Sequence, residues 1–129
     1  MIRSLTAAAV VTTLALGASV PVGEPPAVTG IYSDMHISPT TGDLGGLEIF
    51  LLSSNRGDWV LVQMAEGAAS APVLAAAAVR DSLVTFTLPA SSALGGLGTF
   101  SGVVRGGRLH GAFQNGFEVD LPRGKSYWQ

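Results

Sequence analysis

The sequence predicts an all-β protein, a small antiparallel up-and-down β-barrel of about eight strands that follows an N-terminal signal peptide. Three observations carry this prediction. From residue 28 onward, glycine- and asparagine-rich turn signals recur about every ten residues. The segments between these signals are short and apolar, or alternate between apolar and polar residues. An apolar segment with a positive start precedes them. A β-sandwich stays open as the alternative, since the same spacing of turns is typical of both folds.

Residues 1–20 have the three parts of a signal peptide. Arg3 is the only charged residue before Glu24, and an apolar run over residues 5–16 ends in the small residues 17–19. A positive start, an apolar stretch and small residues at the cleavage zone are typical of export signals. The sequence therefore predicts an exported protein, periplasmic or secreted, with cleavage between Gly17 and Val20.

An alanine-rich first helix of the fold is the alternative interpretation of residues 1–20. It is disfavoured because no helix face carries a polar stripe and because a Pro-rich stretch follows at once. Residues 21–27 are interpreted as a linker, and residues 28–129 as a single barrel domain.

The composition excludes several function classes. The 129 residues include no cysteine and two histidines, and only 12% are charged, against 47% hydrophobic. Disulfides, thiolate metal sites and cysteine nucleophiles are therefore excluded, and we predict neither a metal site nor a cofactor. Without residues 1–20 the chain has six basic against nine acidic residues, a net charge of −3, so nucleic acid is not an expected partner. No later apolar run reaches about 18 residues, so no membrane span is expected after signal cleavage.

Strands are predicted first at residues 28–34, 45–52 and 58–65. Residues 47–52 of the second and 59–64 of the third are apolar on both faces apart from Glu48 and Gln63. Strands of this kind are covered on both sides, by loops or by another chain. A homodimer is one way to cover them.

Two further strands are predicted at residues 73–80 and 82–88. The alanine-rich segment 71–79 is ambiguous, because Ser70 and Pro72 would suit the start of a short helix and alanine favours helices. Few residues are available before Asp81, however, and a helix of that length is marginal alone. A strand with small side chains is therefore favoured.

The C-terminal strands are predicted at residues 98–105, 107–113 and 116–122. Gly106-Gly107 and Asn115-Gly116 are typical of tight hairpin turns, which require positive φ angles. Apolar and polar residues alternate along the last two strands, which indicates one buried face and one face in water. The aromatic pair Tyr127-Trp128 is expected to cover the open end of the barrel.

Gly30-Ile31-Tyr32, at the start of the first predicted strand, resembles the Gly-x-aromatic opening of the calycins, the avidin and lipocalin type of barrel. The resemblance implies an up-and-down barrel of avidin size, and it carries over no set of biotin-binding residues. Residues 41–46, 65–67 and 121–129 also resemble segments of small exported bacterial proteins of unassigned function. That resemblance implies export and fold, and no chemistry.

The leading functional prediction is a non-enzymatic module that binds a small apolar molecule or a protein partner, in the barrel mouth or on the outer face. The candidate binding residues are Tyr32, Glu48, Trp59, Glu66 and His110, and no catalytic residue is predicted. Glu48 and Glu66 are singled out because an interior orientation would bury a charge and raise the pKa of the carboxyl.

Two alternatives stay open. One is an enzyme that uses Glu48 or Glu66 with His36 or His110 as an acid–base pair, which requires two of these groups in one cleft. The other is a homodimeric structural or interaction protein. For the binding module, the deciding feature is whether large side chains fill the interior, the candidates being Phe50, Trp59, Phe86, Phe100 and Phe113.

Overall fold

Nine antiparallel strands form one continuous sheet in residues 28–129, the part of the chain that the structure, a computed structural model, describes. The elements in chain order are β1 (Gly30–Ser33), β2 (His36–Ile37), β3 (Leu44–Ser54), β4 (Gly57–Gly67), β5 (Val73–Arg80), β6 (Leu83–Thr87), a 3₁₀ turn (Gly95–Leu97), β7 (Thr99–Arg105), β8 (Arg108–Phe113) and β9 (Glu118–Gly124).

The sheet closes because β1 pairs with β3 on one side and with β9 on the other. β1 and β2 keep one register along β3, from Gly30 opposite Leu51 to Ile37 opposite Leu44, so they are one strand interrupted at residues 34–35. From β3 to β9 each strand pairs with the next one along the chain. The result is the closed, eight-stranded antiparallel barrel that the sequence predicted.

Strand positions agree closely with those predicted, and β5 covers residues 73–80, within the segment where a helix was the alternative. Alanine favours helices, but here β4 and β6 pair with both edges of the segment. Those main-chain hydrogen bonds outweigh the helix propensity of alanine, which exceeds that of most other residues by about 0.5 kcal/mol per residue. The short strand β2 and the 3₁₀ turn were not predicted.

Three phenylalanines form the centre of one half of the interior. The rings of Phe86 and Phe100 stack with centroids 5.0 Å apart, and Phe113 lies 5.9 Å and 5.2 Å from them. The ring of Phe100 lies over Gly102 and Gly111, which are opposite each other on β7 and β8. A Cβ atom at either glycine would be within 2.7 Å of the ring, so only glycine leaves room for it.

Aliphatic side chains and Tyr32 fill the rest of the interior, whereas Phe50 and Trp59 point outward on β3 and β4. The largest fully buried side chains are Tyr32, Phe100, Ile49, Leu51, Leu88, Leu109, Leu121, Val60, Val62 and Val84. These side chains fill the barrel centre, so the outer surface is where a binding site is expected.

The predicted signal peptide and the Pro-rich linker, residues 1–27, lie outside the described residues. Within residues 28–129, no helix is long and apolar enough to cross a bilayer.

Candidate functional site

Four apolar side chains form a row across the outer wall of the barrel. Ile31 on β1 is opposite Phe50 on β3, Phe50 is opposite Leu61 on β4, and Leu61 is opposite Leu74 on β5. Phe50, Leu61 and Leu74 are 38%, 37% and 57% exposed. Large apolar side chains contiguous on a surface mark interaction sites. We call these four residues the apolar row.

Glu48 and Gln63 are opposite each other in the next row along β3 and β4, and the C-terminal segment of residues 125–129 covers them. The hydroxyl of Ser126 donates to Glu48 Oε1 at 2.6 Å, and the amide of Tyr127 donates to Glu48 Oε2 at 2.9 Å. Glu48 therefore faces outward and is nevertheless only 9% exposed. Both carboxylate oxygens have donors, which offsets the cost of burying the charge.

Trp128 is held over the same wall by its indole N–H, which donates to Gln63 Oε1 at 2.8 Å. The amide of Gln63 in turn donates to the carbonyl of Ser70 at 2.8 Å. The rings of Tyr127 and Trp128 meet edge to face, with centroids 5.0 Å apart. The expectation that this pair covers the open end of the barrel was wrong, because hydrogen bonds to Glu48 and Gln63 hold the segment against the outer wall.

A groove of about 320 Å³ lies between the C-terminal segment and the apolar row. Its lining is mostly apolar, and its polar residues other than Gln129 are those whose hydrogen bonds hold the segment in place. The lining residues are Ile31, Glu48, Phe50, Leu61, Gln63, Pro72, Ser126, Trp128 and Gln129. This size falls at the lower end of the range for small-molecule sites, about 300 to 1,000 Å³.

Trp59 belongs to the same wall but not to the groove lining. It is half-buried in the row beyond the apolar row, where it is opposite Leu52 on β3 and Ala76 on β5. Of the five candidate residues, Glu48 alone lines the groove, with Trp59 beside it.

Tyr32 is a component of the barrel core. Its side chain is fully buried, and its hydroxyl donates to the carbonyl of Val28 at 2.6 Å. The guanidinium of Arg123 lies 5.9 Å from the ring centre. Burial raises the pKa of the Tyr32 hydroxyl, and the charge of Arg123 opposes this only in part.

Glu66 and His110 lie away from the groove. Glu66 is exposed near the end of β4 and lines a separate recess beside β9. His110 faces outward on β8, where its Nδ1 is 3.3 Å from Asp120 Oδ1. Arg108 donates to the same oxygen at 2.7 Å, and this hydrogen bond holds the pKa of Asp120 below its usual value.

Neither the groove nor the recess brings a histidine together with Glu48 or Glu66, as the acid–base alternative requires. His36 is opposite Gly45 on β3, and Gly45 is opposite Glu66 on β4. The Nδ1 atom of His36 is 2.8 Å from the carbonyl oxygen of Asp34. Over residues 28–129, no group of three or more histidine or carboxylate side chains could hold a metal ion.

Glu48 and Gln63 are the residues of the sequence that point to the groove. They are the polar exceptions in two otherwise apolar stretches of strand, and the segment that covers them contains the aromatic pair Tyr127-Trp128. What could not be read from the sequence was that the two features meet. Comparisons with protein-family models, curated protein sequences and solved structures gave no significant match.

Proposed function

We propose that this chain is an exported β-barrel protein whose role is binding rather than catalysis, and that it binds a small apolar molecule in the groove between Trp128 and the apolar row. The observation that carries the proposal is the groove itself, about 320 Å³ in volume and lined mainly by apolar side chains. The barrel interior, which is the usual site in ligand-binding barrels, is filled by the core.

The chemistry of the lining supports an apolar ligand. Glu48 accepts two hydrogen bonds from the C-terminal segment, and Gln63 uses its amide oxygen and nitrogen on Trp128 and Ser70. The exposed area offered to a ligand is then that of Ile31, Phe50, Leu61 and Pro72, with Trp128 as one wall. Affinity would come from burying apolar surface, at about 25 cal/mol per Å² removed from water.

A fluorescence titration tests the ligand proposal. The chain has two tryptophans, so a Trp59→Phe background leaves Trp128 as a reporter inside the groove. We expect the dye 8-anilinonaphthalene-1-sulfonate to quench Trp128 by energy transfer in a saturable way. Replacing Leu61 by Glu should weaken this binding by about tenfold or more, because it places a charge in the apolar lining.

Leu83→Glu is the matched control for that titration. Leu83 is 57% exposed on the outer face of β6, and it does not line the groove. The proposal predicts that dye binding by Leu83→Glu equals that of the parent protein. Equal affinities for the Leu61→Glu and Leu83→Glu variants would contradict the proposal, since the dye would then bind without using the groove.

A second copy of the chain is the other candidate occupant of this wall, and Leu74 is the observation that favours it. Leu74 extends the apolar row beyond the groove and is the most exposed of the four, at 57%. If two walls pack together, sedimentation equilibrium should give a dimer mass that Leu74→Glu returns to a monomer. A monomer at all concentrations, together with dye binding, would leave the small molecule as the occupant.

A further inference from the structure

The barrel is joined weakly along one line, between β1 and β9. Only two residue pairs connect these strands, Ile31 with Gly124 and Tyr32 with Arg123, whereas eleven connect β3 with β4. Beyond Ser33 the chain stays with β3, because the backbone N–H of Asp34 donates to the carbonyl of Leu47 and the Asp34 carboxylate accepts from the Leu47 amide.

A proline explains why the pairing of β1 with β9 stops. If the register of the two pairs continued, the residue opposite Ser33 would be Pro122. The main-chain groups of alternate residues point to the same neighbouring strand, so Pro122, like Gly124, faces β1. Proline has no N–H to donate, and the ladder therefore ends there.

Among residues 28–129, no strand pairs with the remaining part of this edge of β9. The amide of Arg123 donates to the carbonyl of Gly107, and the carbonyl of Phe117 accepts from the amide of Phe113. Odd-numbered residues of β9 thus direct their main-chain groups to β8. By alternation, Glu118 and Asp120 direct theirs away from β8, toward the gap, although Arg108 reaches the carbonyl of Asp120 at 3.4 Å. We call residues 118–121 and the gap beside them the seam.

A recess of about 230 Å³ occupies the seam. The buried side chains of Leu47, Val119 and Leu121 line it, and Phe117, which is 42% exposed, contributes apolar surface. Carboxylates stand on both sides, with Glu118 on β9 and Glu66 across the gap on β4. Four residues of strand edge correspond to about 13 Å of extended chain. The recess therefore combines open main-chain donors and acceptors with a negative rim.

We propose that the seam binds an extended, basic peptide segment of a partner protein, which adds as a strand to the free edge of β9. Strand addition uses the main-chain groups of Glu118 and Asp120 for affinity. Lysine or arginine at the outward-facing positions of the segment would lie beside Glu118, whose side chain is exposed on the outer face of β9, and the opposite charges favour such a partner over an acidic one. This site is separate from the groove and does not depend on it.

Amide hydrogen exchange measured by NMR on the complete chain tests the free edge directly. In the free protein, the amides of Val119, Leu121 and Arg123 should be protected, and those of Glu118 and Asp120 should exchange at least about tenfold faster. Equal protection of both sets would overturn the proposal, because the edge would already be paired.

A capped five-residue peptide of alternating lysine and valine tests the occupant. At saturation we expect protection of the Glu118 and Asp120 amides to rise by about tenfold or more. The same peptide N-methylated at the residues that face β9 should not bind, and a glutamate–valine peptide should bind about tenfold more weakly. Unchanged protection with the lysine peptide, or equal binding of the N-methylated peptide, would overturn the proposal.

Two variants at Glu118 separate main-chain from charge recognition. Glu118→Pro removes the amide that faces the seam, and proline is tolerated at an unpaired strand edge, so peptide binding should be lost while the far-UV spectrum is kept. Glu118→Gln removes the charge alone and should weaken binding only in part. A folded Glu118→Pro protein that binds as the parent does would contradict strand addition. If that variant does not fold, the N-methylated peptide decides.

Discussion

At the scale of the residue, Tyr32 shows how an aromatic side chain on a predicted ligand-binding strand belongs instead to the core. Its ring fills the barrel beside Ile49, which is its cross-strand partner, and its hydroxyl donates to the carbonyl of Val28. That carbonyl is in turn buried with Val28 near the start of the barrel domain. The side chain therefore ties the chain before β1 to the interior.

Replacing Tyr32 by Phe should destabilise the barrel by about 1 to 3 kcal/mol, because the Val28 carbonyl would lose its donor while it stays buried. Urea unfolding followed by circular dichroism measures this. Tyr127→Phe is the control, since the structure shows no hydrogen bond from that hydroxyl to residues 28–129. A Tyr32→Phe variant as stable as Tyr127→Phe would show that the hydroxyl contributes nothing.

The raised pKa of Tyr32 also predicts how stability depends on alkaline pH. Above about pH 10 the tyrosine of the unfolded chain ionises, while burial keeps the folded one neutral, so the unfolded state binds fewer protons. The free energy of unfolding should then fall as pH rises above about 10. Tyr32→Phe should flatten this slope above about pH 10, measured by urea unfolding at each pH. The same slope in both proteins would contradict the assignment.

The contact between Gly102 and Phe100 gives a third prediction at this scale. A Cβ at position 102 would lie 2.4 Å from the carbonyl oxygen of His110 and 2.5 Å from the Phe100 ring. Gly102→Ala should therefore lower the free energy of unfolding by about 1 to 3 kcal/mol through overpacking. Gly96→Ala is the control, because no atom lies within 4 Å of a Cβ at that position. Equal melting temperatures for the two variants would contradict the packing argument.

At the scale of the element, the C-terminal segment converts an exposed strand face into a groove. Its hydrogen bonds go to Glu48 and Gln63, side chains on two strands that pair along their whole length. The segment has no strand partner of its own among residues 28–129. Its position therefore depends on a few side-chain contacts, and chiefly on the two hydrogen bonds to the Glu48 carboxylate.

Glu48→Ala should release the C-terminal segment while the barrel stays folded. Hydrogen bonds to a charged group contribute about 1.5 to 3 kcal/mol, so the Tyr127 amide should lose most of its protection from hydrogen exchange. Glu66→Ala, which removes an exposed carboxylate that does not contact the segment, is the control. Unchanged protection of the Tyr127 amide in Glu48→Ala would show that other contacts hold the segment.

At the scale of the whole molecule, the apolar residues lie in three separate regions. One part lies in residues 1–20, a second part fills the barrel, and a third part forms the apolar row on its outer wall. If residues 1–20 are an export signal, only the second and third parts belong to the mature protein. Its predicted net charge of −3 accords with the acidic rim of the seam.

Expression of the whole chain in a bacterial host with a cell envelope should therefore yield a shortened protein outside the cytoplasm. Intact-mass analysis of that fraction should place the new N-terminus between residues 18 and 20, as expected for cleavage after a small residue. Inserting charged residues into the apolar run should retain the full-length chain in the cytoplasm. A full-length chain found only in the cytoplasm of the parent strain would contradict the signal-peptide prediction.

The sequence predicted the barrel well because its signals are local. Gly106 and Gly107 have φ angles of 60° and 71°, Gly116 one of 94°, and each lies in a turn where the sequence placed one. Alternation along the last two strands predicted Leu109, Phe113, Phe117, Val119 and Leu121 on the inward face, and all of them except Phe117, which is 42% exposed, are buried. These properties depend on a residue and its neighbours, so a single sequence contains them.

The candidate site was predicted only in part, because it depends on residues that are distant along the chain. Glu48 was identified as an unusual carboxylate, but its donors Ser126 and Tyr127 lie 78 and 79 residues later. Trp59, a candidate both for binding and for filling the interior, faces outward beside the groove, and Tyr32, Glu66 and His110 lie elsewhere. No local sequence pattern shows which strands the C-terminal segment covers.

By itself the sequence determined the fold class, the strand positions, the alternation of inward faces and the absence of thiol chemistry, because turns, periodicity and composition are properties of short segments. The tertiary structure alone decided where the C-terminal segment lies, why Glu48 is buried on an outer face, and where the barrel wall is open. These follow from barrel closure, which brings together β1, β3 and β9, and no short segment contains that information.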